Sequence, residues 1–329
     1  MFSYSFEDAD YCEKLLNANI THDESVQNQI DNVRRNVVMI IKPLTSQFFY
    51  WTLLLLLLHR FNFRKPIIKI VVAHYILRAI GDIFDSYGSR YTNYYHKDSN
   101  GNCVNDIVEK AEHHPMRWLI SRQIASIFWY SGEIVGDWYA LLRTKAVVTE
   151  QKEIWYVYIT CFIFNLSKIT MMFYHFSVNE SDMLNPVKEE KFYNVYWAMY
   201  LVSLCCSLLY DGSVYIAMKR VIFKDIENIN FGFIKKFRNI SEFRILVSAL
   251  IGLIGIPIMG TSTILRLIYN QFDWSFEDLR IFIVNTSYYI MFIDQMMLYS
   301  ISREENSLNS INSLNSITTN KQAKQLYLV

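Results

Sequence analysis

The hydrophobic positions of this chain fall into long apolar stretches separated by polar segments. A helix of about 20 residues is long enough to cross a hydrocarbon layer roughly 30 Å thick. The pattern therefore predicts an all-α, polytopic membrane protein in which seven transmembrane helices form a single bundle over residues 37–301. The seven stretches cover residues 37–58, 66–86, 119–142, 154–176, 192–217, 245–270 and 280–301.

Two polar segments flank this bundle. Residues 1–36 are acidic and are predicted to form a short extracellular arm. Residues 302–329 are predicted to form a cytosolic tail, in which Asn-Ser-Leu and Asn-Ser-Ile repeats leave little apolar surface to bury. Seven crossings would place these two segments on opposite sides of the membrane.

The charges of the connecting segments differ between those two sides. With the N-terminus outside, the inner segments hold 16 Lys and Arg against 7 Asp and Glu, whereas the outer segments hold 10 against 18. Basic residues close to a span resist translocation, so the basic side stays cytosolic. We therefore expect a multi-pass plasma-membrane protein in contact with membrane lipid. A net charge of +1 for the whole chain indicates no nucleic-acid partner.

Candidate modification sites lie on the predicted outer side. Cys12 and Cys103 are the two cysteines there. A disulfide between them fits an oxidising compartment, and two free thiols stay open as the alternative. Asn19 and Asn179 each begin an Asn-x-Ser/Thr sequence, which makes them candidates for glycosylation.

Six acidic and six basic side chains lie inside the predicted spans. Each costs about 2.5–3.5 kcal/mol at mid-depth unless it faces protein, water or a partner. Depth along each span predicts an outer pocket for a polar or anionic ligand and an inner group that acts as a switch. The outer pocket comprises Arg122, Lys168, Arg266, Asp82 and Asp85, and the inner acids are Glu133, Asp137, Asp211 and Asp294. A set of interhelical salt bridges with no ligand explains the same charges, and this alternative stays open.

The layout resembles that of the seven-transmembrane, G-protein-coupled receptors. The local similarity lies at Asp137-Trp138-Tyr139 and Arg143, which resemble the acid-Arg-Tyr motif at the inner end of the third helix. Trp138 replaces the central Arg of that motif, and Arg143 would take over its role. The resemblance implies coupling to a heterotrimeric G protein or another cytosolic transducer through the basic, aromatic loop 218–244.

Other functions agree less well with the sequence. A retinal protein needs a lysine in the last span, and residues 280–301 contain none. The helix histidines His74 and His175 lie on different spans, and no cofactor site or enzyme is expected. A proton- or ion-coupled transporter or channel is the main alternative to a receptor, because such proteins use charged residues inside the membrane.

Overall fold

The computed structural model consists mostly of helices. It describes residues 6–17, 22–98, 100–147, 151–224, 250–265, 281–283, 285–286 and 288–300, and the isolated positions 247, 268 and 303. The helices are α1 (Phe6–Asn17), α2 (His22–Thr45), α3 (Gln47–Leu58), α4 (Pro66–Gly88), α5 (Pro115–Trp118), α6 (Ala125–Val147), α7 (Gln151–Phe176), α8 (Pro186–Lys224), α9 (Leu250–Leu265) and α10 (Ile281–Ser300). Proline occupies the first position of α4, α5 and α8, where its missing N–H would have no helical partner in any case.

Three of these helices are long and apolar enough to cross a membrane. They are the Ile154–Phe176 part of α7, the Pro186–Arg220 part of α8, and α10. The bent pair of α2 and α3 would make a fourth span if it crosses as one unit. The described residues of all seven predicted apolar stretches contain helix, while the crossing of a membrane by all seven stays a prediction.

The structure corrects the prediction of a single helix over residues 37–58, because this first apolar stretch contains two helices. The chain breaks at Ser46, whose backbone is extended, and the helix axes on its two sides differ by 48°. Pro43 lies in the last turn of α2. A proline inside a helix lacks the N–H for the helical hydrogen bond and clashes with the preceding turn, which explains a bend at this point.

The segments outside the apolar stretches contain more structure than the sequence pattern indicated. Part of the acidic arm forms α1, and α2 begins well before residue 37. Strands β1 (Asn93–Lys97) and β2 (Cys103–Ile107) pair antiparallel as a hairpin, which adds a small sheet to the expected all-α fold. Cys12 and Cys103 form a disulfide that joins α1 to β2, one of the two states that the sequence left open.

Shared apolar clusters hold the helices together. One cluster joins α3, α4, α6 and α10 through Phe48, Leu55, Val71, Tyr139, Tyr288, Met291 and Phe292. Another joins the five helices α6, α7, α8, α9 and α10 through Tyr130, Met171, Trp197, Tyr200, Leu204, Met259 and Ile283. Many large apolar side chains remain exposed on the outside, among them Leu57, Phe162 and Leu253. Extensive exposed apolar surface is typical of contact with a membrane or a partner.

Candidate functional site

A lysine network forms where α6, α7 and α10 meet. The Lys168 ammonium on α7 lies 2.7 Å from the Asp137 carboxylate and 3.4 Å from the Glu133 carboxylate, both on α6. It also donates to the Tyr288 hydroxyl on α10 at 2.9 Å. Lys168 is 4% exposed, so its charge is compensated by these groups rather than by water. We call Lys168, Glu133, Asp137 and Tyr288 the lysine network.

Helix α4 joins this network through a stripe of polar residues on one helix face, formed by His74, Arg78, Asp82 and Asp85. Arg78 lies 3.6 Å from the Glu133 carboxylate, and the ring N–H of fully buried His74 donates to the Gly132 carbonyl at 2.7 Å. The helices approach closely because α6 carries glycine at the contact. A Cβ on Gly136 would lie 2.7 Å from the Tyr288 ring, so a larger residue does not fit without displacement of a neighbour.

A second ion pair joins α6 to α10 further along both helices. Arg143 pairs with Asp294, and the Tyr139 hydroxyl donates to the same carboxylate. Gln295 donates to the Tyr139 hydroxyl at 2.7 Å. Arg143 is 4% and Asp294 1% exposed, so this contact, here named the Arg143–Asp294 pair, is closed to solvent.

A cavity of about 530 Å³ lies toward the other end of these helices, the end where the β1–β2 hairpin connects α4 to the next helix. We call it the aromatic cavity because rings from α3, α5, α6, α7, α8 and α10 surround it. Its aromatic lining is formed by Phe48, Trp118, Trp129, Tyr130, His175, Tyr193, Tyr196, Trp197, Tyr200 and Tyr289. Small-molecule sites are typically of this size, mostly apolar, with a few convergent polar groups.

Charged groups of both signs line the aromatic cavity. Asp82 accepts a hydrogen bond from the Trp129 indole at 2.9 Å. Arg122 lies 3.8 Å from the buried Glu112 carboxylate and is partly exposed. Asp85 follows Asp82 by three residues on α4, and its backbone carbonyl accepts from Ser121 at 3.1 Å. The site therefore offers both carboxylates and a guanidinium within one cavity.

The structure brings together most of the predicted outer pocket, with one correction. Arg122, Asp82 and Asp85 line the aromatic cavity as a group. Lys168 instead lines a smaller cavity of about 100 Å³ together with Asp211 and the lysine network. Depth along a single helix suggested an outer position, but the long lysine side chain pairs with acids on the neighbouring helix. Arg266 lies outside the described residues.

The predicted glycosylation sites and the predicted coupling loop are only partly within the described residues. Asn179 is exposed just after α7, whereas Asn19 lies outside the described residues. The loop 218–244 is described only to Lys224, with its beginning in α8. Nothing in the contacts of these residues tests glycosylation or coupling, so both stay predictions.

The aromatic lining was not predicted from the sequence as part of a pocket. A signal was present, since Tyr193, Tyr196, Trp197 and Tyr200 recur at the three- and four-residue spacing of one helix face. Aromatic residues near span ends are also typical membrane-interface anchors, and the sequence does not distinguish the two roles. Arg78 was likewise left out of the predicted site, although it belongs to the same stripe as Asp82.

Comparisons of the chain with protein families, with characterised proteins and with solved structures find no match. Within the described residues, no group of three or more His, Cys, Asp or Glu side chains is arranged to hold a metal ion. The geometry of the aromatic cavity, the lysine network and the Arg143–Asp294 pair indicates what the described residues can do.

Proposed function

We propose that the chain is a seven-helix, multi-pass plasma-membrane protein with its N-terminus outside and its C-terminus in the cytosol. Three candidate spans, the exposed apolar surface and helices at all seven apolar stretches support this topology. The side-to-side difference in loop charge supports the orientation. In this orientation the aromatic cavity lies in the outer half and the Arg143–Asp294 pair in the inner half.

Within this topology we infer a receptor-like signalling function. The observation that carries the inference is the separation of an aromatic cavity from a closed ion pair on the same two helices. A receptor needs a ligand site on one side and a two-state contact on the other. The buried Arg143–Asp294 pair supplies such a contact, because its breakage leaves two uncompensated charges and therefore favours a different packing.

Helices α6 and α10 provide the physical connection. Asn285 on α10 lines the aromatic cavity, and Asp294 lies nine residues further, about 14 Å along the same helix. On α6, Trp129 lines the aromatic cavity and Arg143 belongs to the ion pair. A ligand that moves α10 against α6 would change the Arg143–Asp294 contact, and a heterotrimeric G protein or another transducer at the inner surface would read that change.

A proton- or ion-coupled transporter or channel is the second candidate. Glu133 favours it, because this side chain lines both the aromatic cavity and the smaller cavity that contains Asp211. Chains of acidic groups at adjoining cavities are used for ion relays. The enclosure of Asp294 in an ion pair with Arg143 argues against a continuous acidic path and favours the receptor.

The test breaks the Arg143–Asp294 pair without any ligand. Arg143→Gln and Asp294→Asn, expressed in a reporter cell, are expected to raise basal G-protein activation above the wild type at matched surface expression. Whole-cell currents are recorded in the same cells. Lys145→Gln is the matched control, because Lys145 is exposed and lies two residues from Arg143.

The outcome separates the two candidates. Activation by both pair-breaking variants and not by Lys145→Gln supports the receptor. Ionic currents or proton flux without G-protein activation would establish the transporter or channel instead. If neither signal changes while both variants reach the surface, the Arg143–Asp294 pair is not a switch.

A further inference from the structure

We propose that the aromatic cavity binds a small zwitterion with an aromatic or bulky apolar body. Asp85 would hold its ammonium group, and the Trp118 indole N–H with the Arg122 guanidinium would hold its carboxylate. This inference rests on the proposed function, since it names the ligand class of the same cavity. It replaces the polar or anionic ligand expected from the basic residues alone.

The charges of the cavity favour a ligand of both signs. Three bases and three acids line it, namely Lys42, Arg78, Arg122, Asp82, Asp85 and Glu133. Arg78 and Glu133 pair with each other, and Asp82 accepts the Trp129 N–H. Among the described residues, no side chain or backbone N–H donates to the Asp85 carboxylate. A carboxylate without a hydrogen-bond donor in an enclosed, ring-lined space is suited to an ammonium group.

The part of the cavity next to Asp85 offers donors. Trp118 is 0% exposed, lines the cavity, and its indole N–H finds no acceptor among the described residues. An indole N–H donates and cannot accept, so a ligand oxygen is its natural partner. Arg122 lies 3.8 Å from Glu112 and lines the same part of the cavity, so its guanidinium adds a positive charge beside the indole N–H.

The backbone between these two donors is unusual. Residues Leu119–Ile124 form a π-helical segment that begins directly after Trp118 and contains Arg122. Such segments are rare and occur frequently at functional sites, because they turn side chains away from the regular helical positions. Here the segment also places Ser121 against the backbone of Asp85, so the donor part and the acid part of the cavity adjoin.

The rings and the volume define the body of the ligand. A cavity of about 530 Å³ lies within the usual range for a small organic molecule. Trp129, Tyr130, Trp197 and Tyr200 offer faces for stacking on an aromatic group and for cation–π contact with an ammonium. Among the described residues, a ligand with only one charge would leave either the Asp85 carboxylate without a hydrogen-bond donor or the Trp118 N–H without an acceptor.

Three probes that share one body test the proposal on the full-length chain in lipid nanodiscs. They are phenylalanine, phenethylamine and 3-phenylpropionate, which carry both charges, only the ammonium, and only the carboxylate. Affinity is measured by calorimetry and by thermal stabilisation. We expect phenylalanine to bind roughly tenfold or more tightly than either single-charge probe, since each lost group removes a charge-assisted hydrogen bond.

Two variants assign the groups. Asp85→Asn is expected to reduce phenylalanine affinity to that of 3-phenylpropionate and to leave 3-phenylpropionate unaffected. Trp118→Phe keeps an aromatic ring, removes the N–H, and should weaken the two carboxylate probes while leaving phenethylamine unchanged. Asp106→Asn and Trp155→Phe are matched controls, because both residues are exposed outside the cavity.

Equal affinity for phenylalanine and a single-charge probe, or no binding by any of the three up to their solubility, would overturn the zwitterion site. The two proposals fail separately. Phenylalanine binding without G-protein activation by the pair-breaking variants removes the receptor and keeps the zwitterion site. G-protein activation by those variants without binding of any probe keeps the receptor and removes the zwitterion site.

Discussion

The two charged regions of the molecule use the same residue types in opposite ways. In the lysine network, Lys168 reaches two carboxylates and a hydroxyl within 3.4 Å, and the cavity beside it is only about 100 Å³. Around the aromatic cavity, Arg122 is 3.8 Å from its acid and about 530 Å³ remains open. Charges that are closely paired hold helices together, whereas charges that line open space can also contact a ligand.

The difference follows from what lies between the charged groups. Glycines on α6 allow α4 and α10 to approach until the polar groups meet. At the hairpin end, large rings from several helices line an open space instead. The buried groups of the lysine network should therefore respond to substitution through stability, and those of the aromatic cavity through binding.

The largest effect is expected from Lys168→Met. The substitution leaves the Asp137 and Glu133 carboxylates without their buried cation, which we expect to lower the free energy of unfolding by about 3–5 kcal/mol. Denaturant unfolding of the purified chain measures it. Lys42→Met is the control: Lys42 is exposed at the edge of the aromatic cavity, and the expected change is within about 0.5 kcal/mol.

The paired variant sharpens this test. Lys168→Met combined with Asp137→Asn removes one charge of each sign and should recover part of the lost stability. A small and equal change for Lys168→Met and Lys42→Met would show that the two regions do not differ in the way proposed.

A smaller effect is expected from Gly136→Ala. The added Cβ would lie 2.7 Å from the Tyr288 ring and 3.0 Å from the His74 ring nitrogen, so the helices must shift, at a cost of about 1–3 kcal/mol. Gly212→Ala in α8 is the matched control, since nothing lies within 4 Å of its Cβ position. Alanine there should be neutral or slightly stabilising. Similar unfolding curves for both variants would contradict close packing at Gly136.

A local, pH-dependent effect concerns the segment that leads into the aromatic cavity. The His114 ring accepts hydrogen bonds from the backbone N–H groups of Met116 and Arg117, 3.1 and 3.4 Å away. Burial, with the nearby Arg117 charge, lowers the pKa of His114 from 6.5 to about 4. The unfolded segment therefore takes up a proton first, and stability should be constant above pH 6.5 and fall between about 6.5 and 4.

Hydrogen exchange at the Met116 and Arg117 amides, corrected for the intrinsic effect of pH, measures this loss. His114→Asn keeps an acceptor at the start of α5 and removes the titrating group. In this variant the protection of the Met116 and Arg117 amides from exchange should not fall over the same pH range. Equal loss of protection in wild type and variant would assign the effect to other groups.

Part of this arrangement could be predicted from the sequence. His74, Arg78 and Asp82 recur every four residues, a spacing that places them on one face of a helix, and in the structure these side chains all contact α6. The aromatic cavity could not be predicted in the same way. Its rings come from several helices, and a ring at the end of an apolar stretch has the same sequence signal whether it faces lipid or a cavity.

The sequence by itself determined where the apolar helices lie and which charges they carry, because hydrophobicity and helical spacing are local properties of the chain. The tertiary structure alone decided which charges meet. Lys168 and Asp137 are 31 residues apart, and Tyr139 and Asp294 are 155 apart. Such contacts depend on the relative register of separate helices, which proline bends, glycine contacts and ring packing determine together. That register closes the lysine network and leaves the aromatic cavity open.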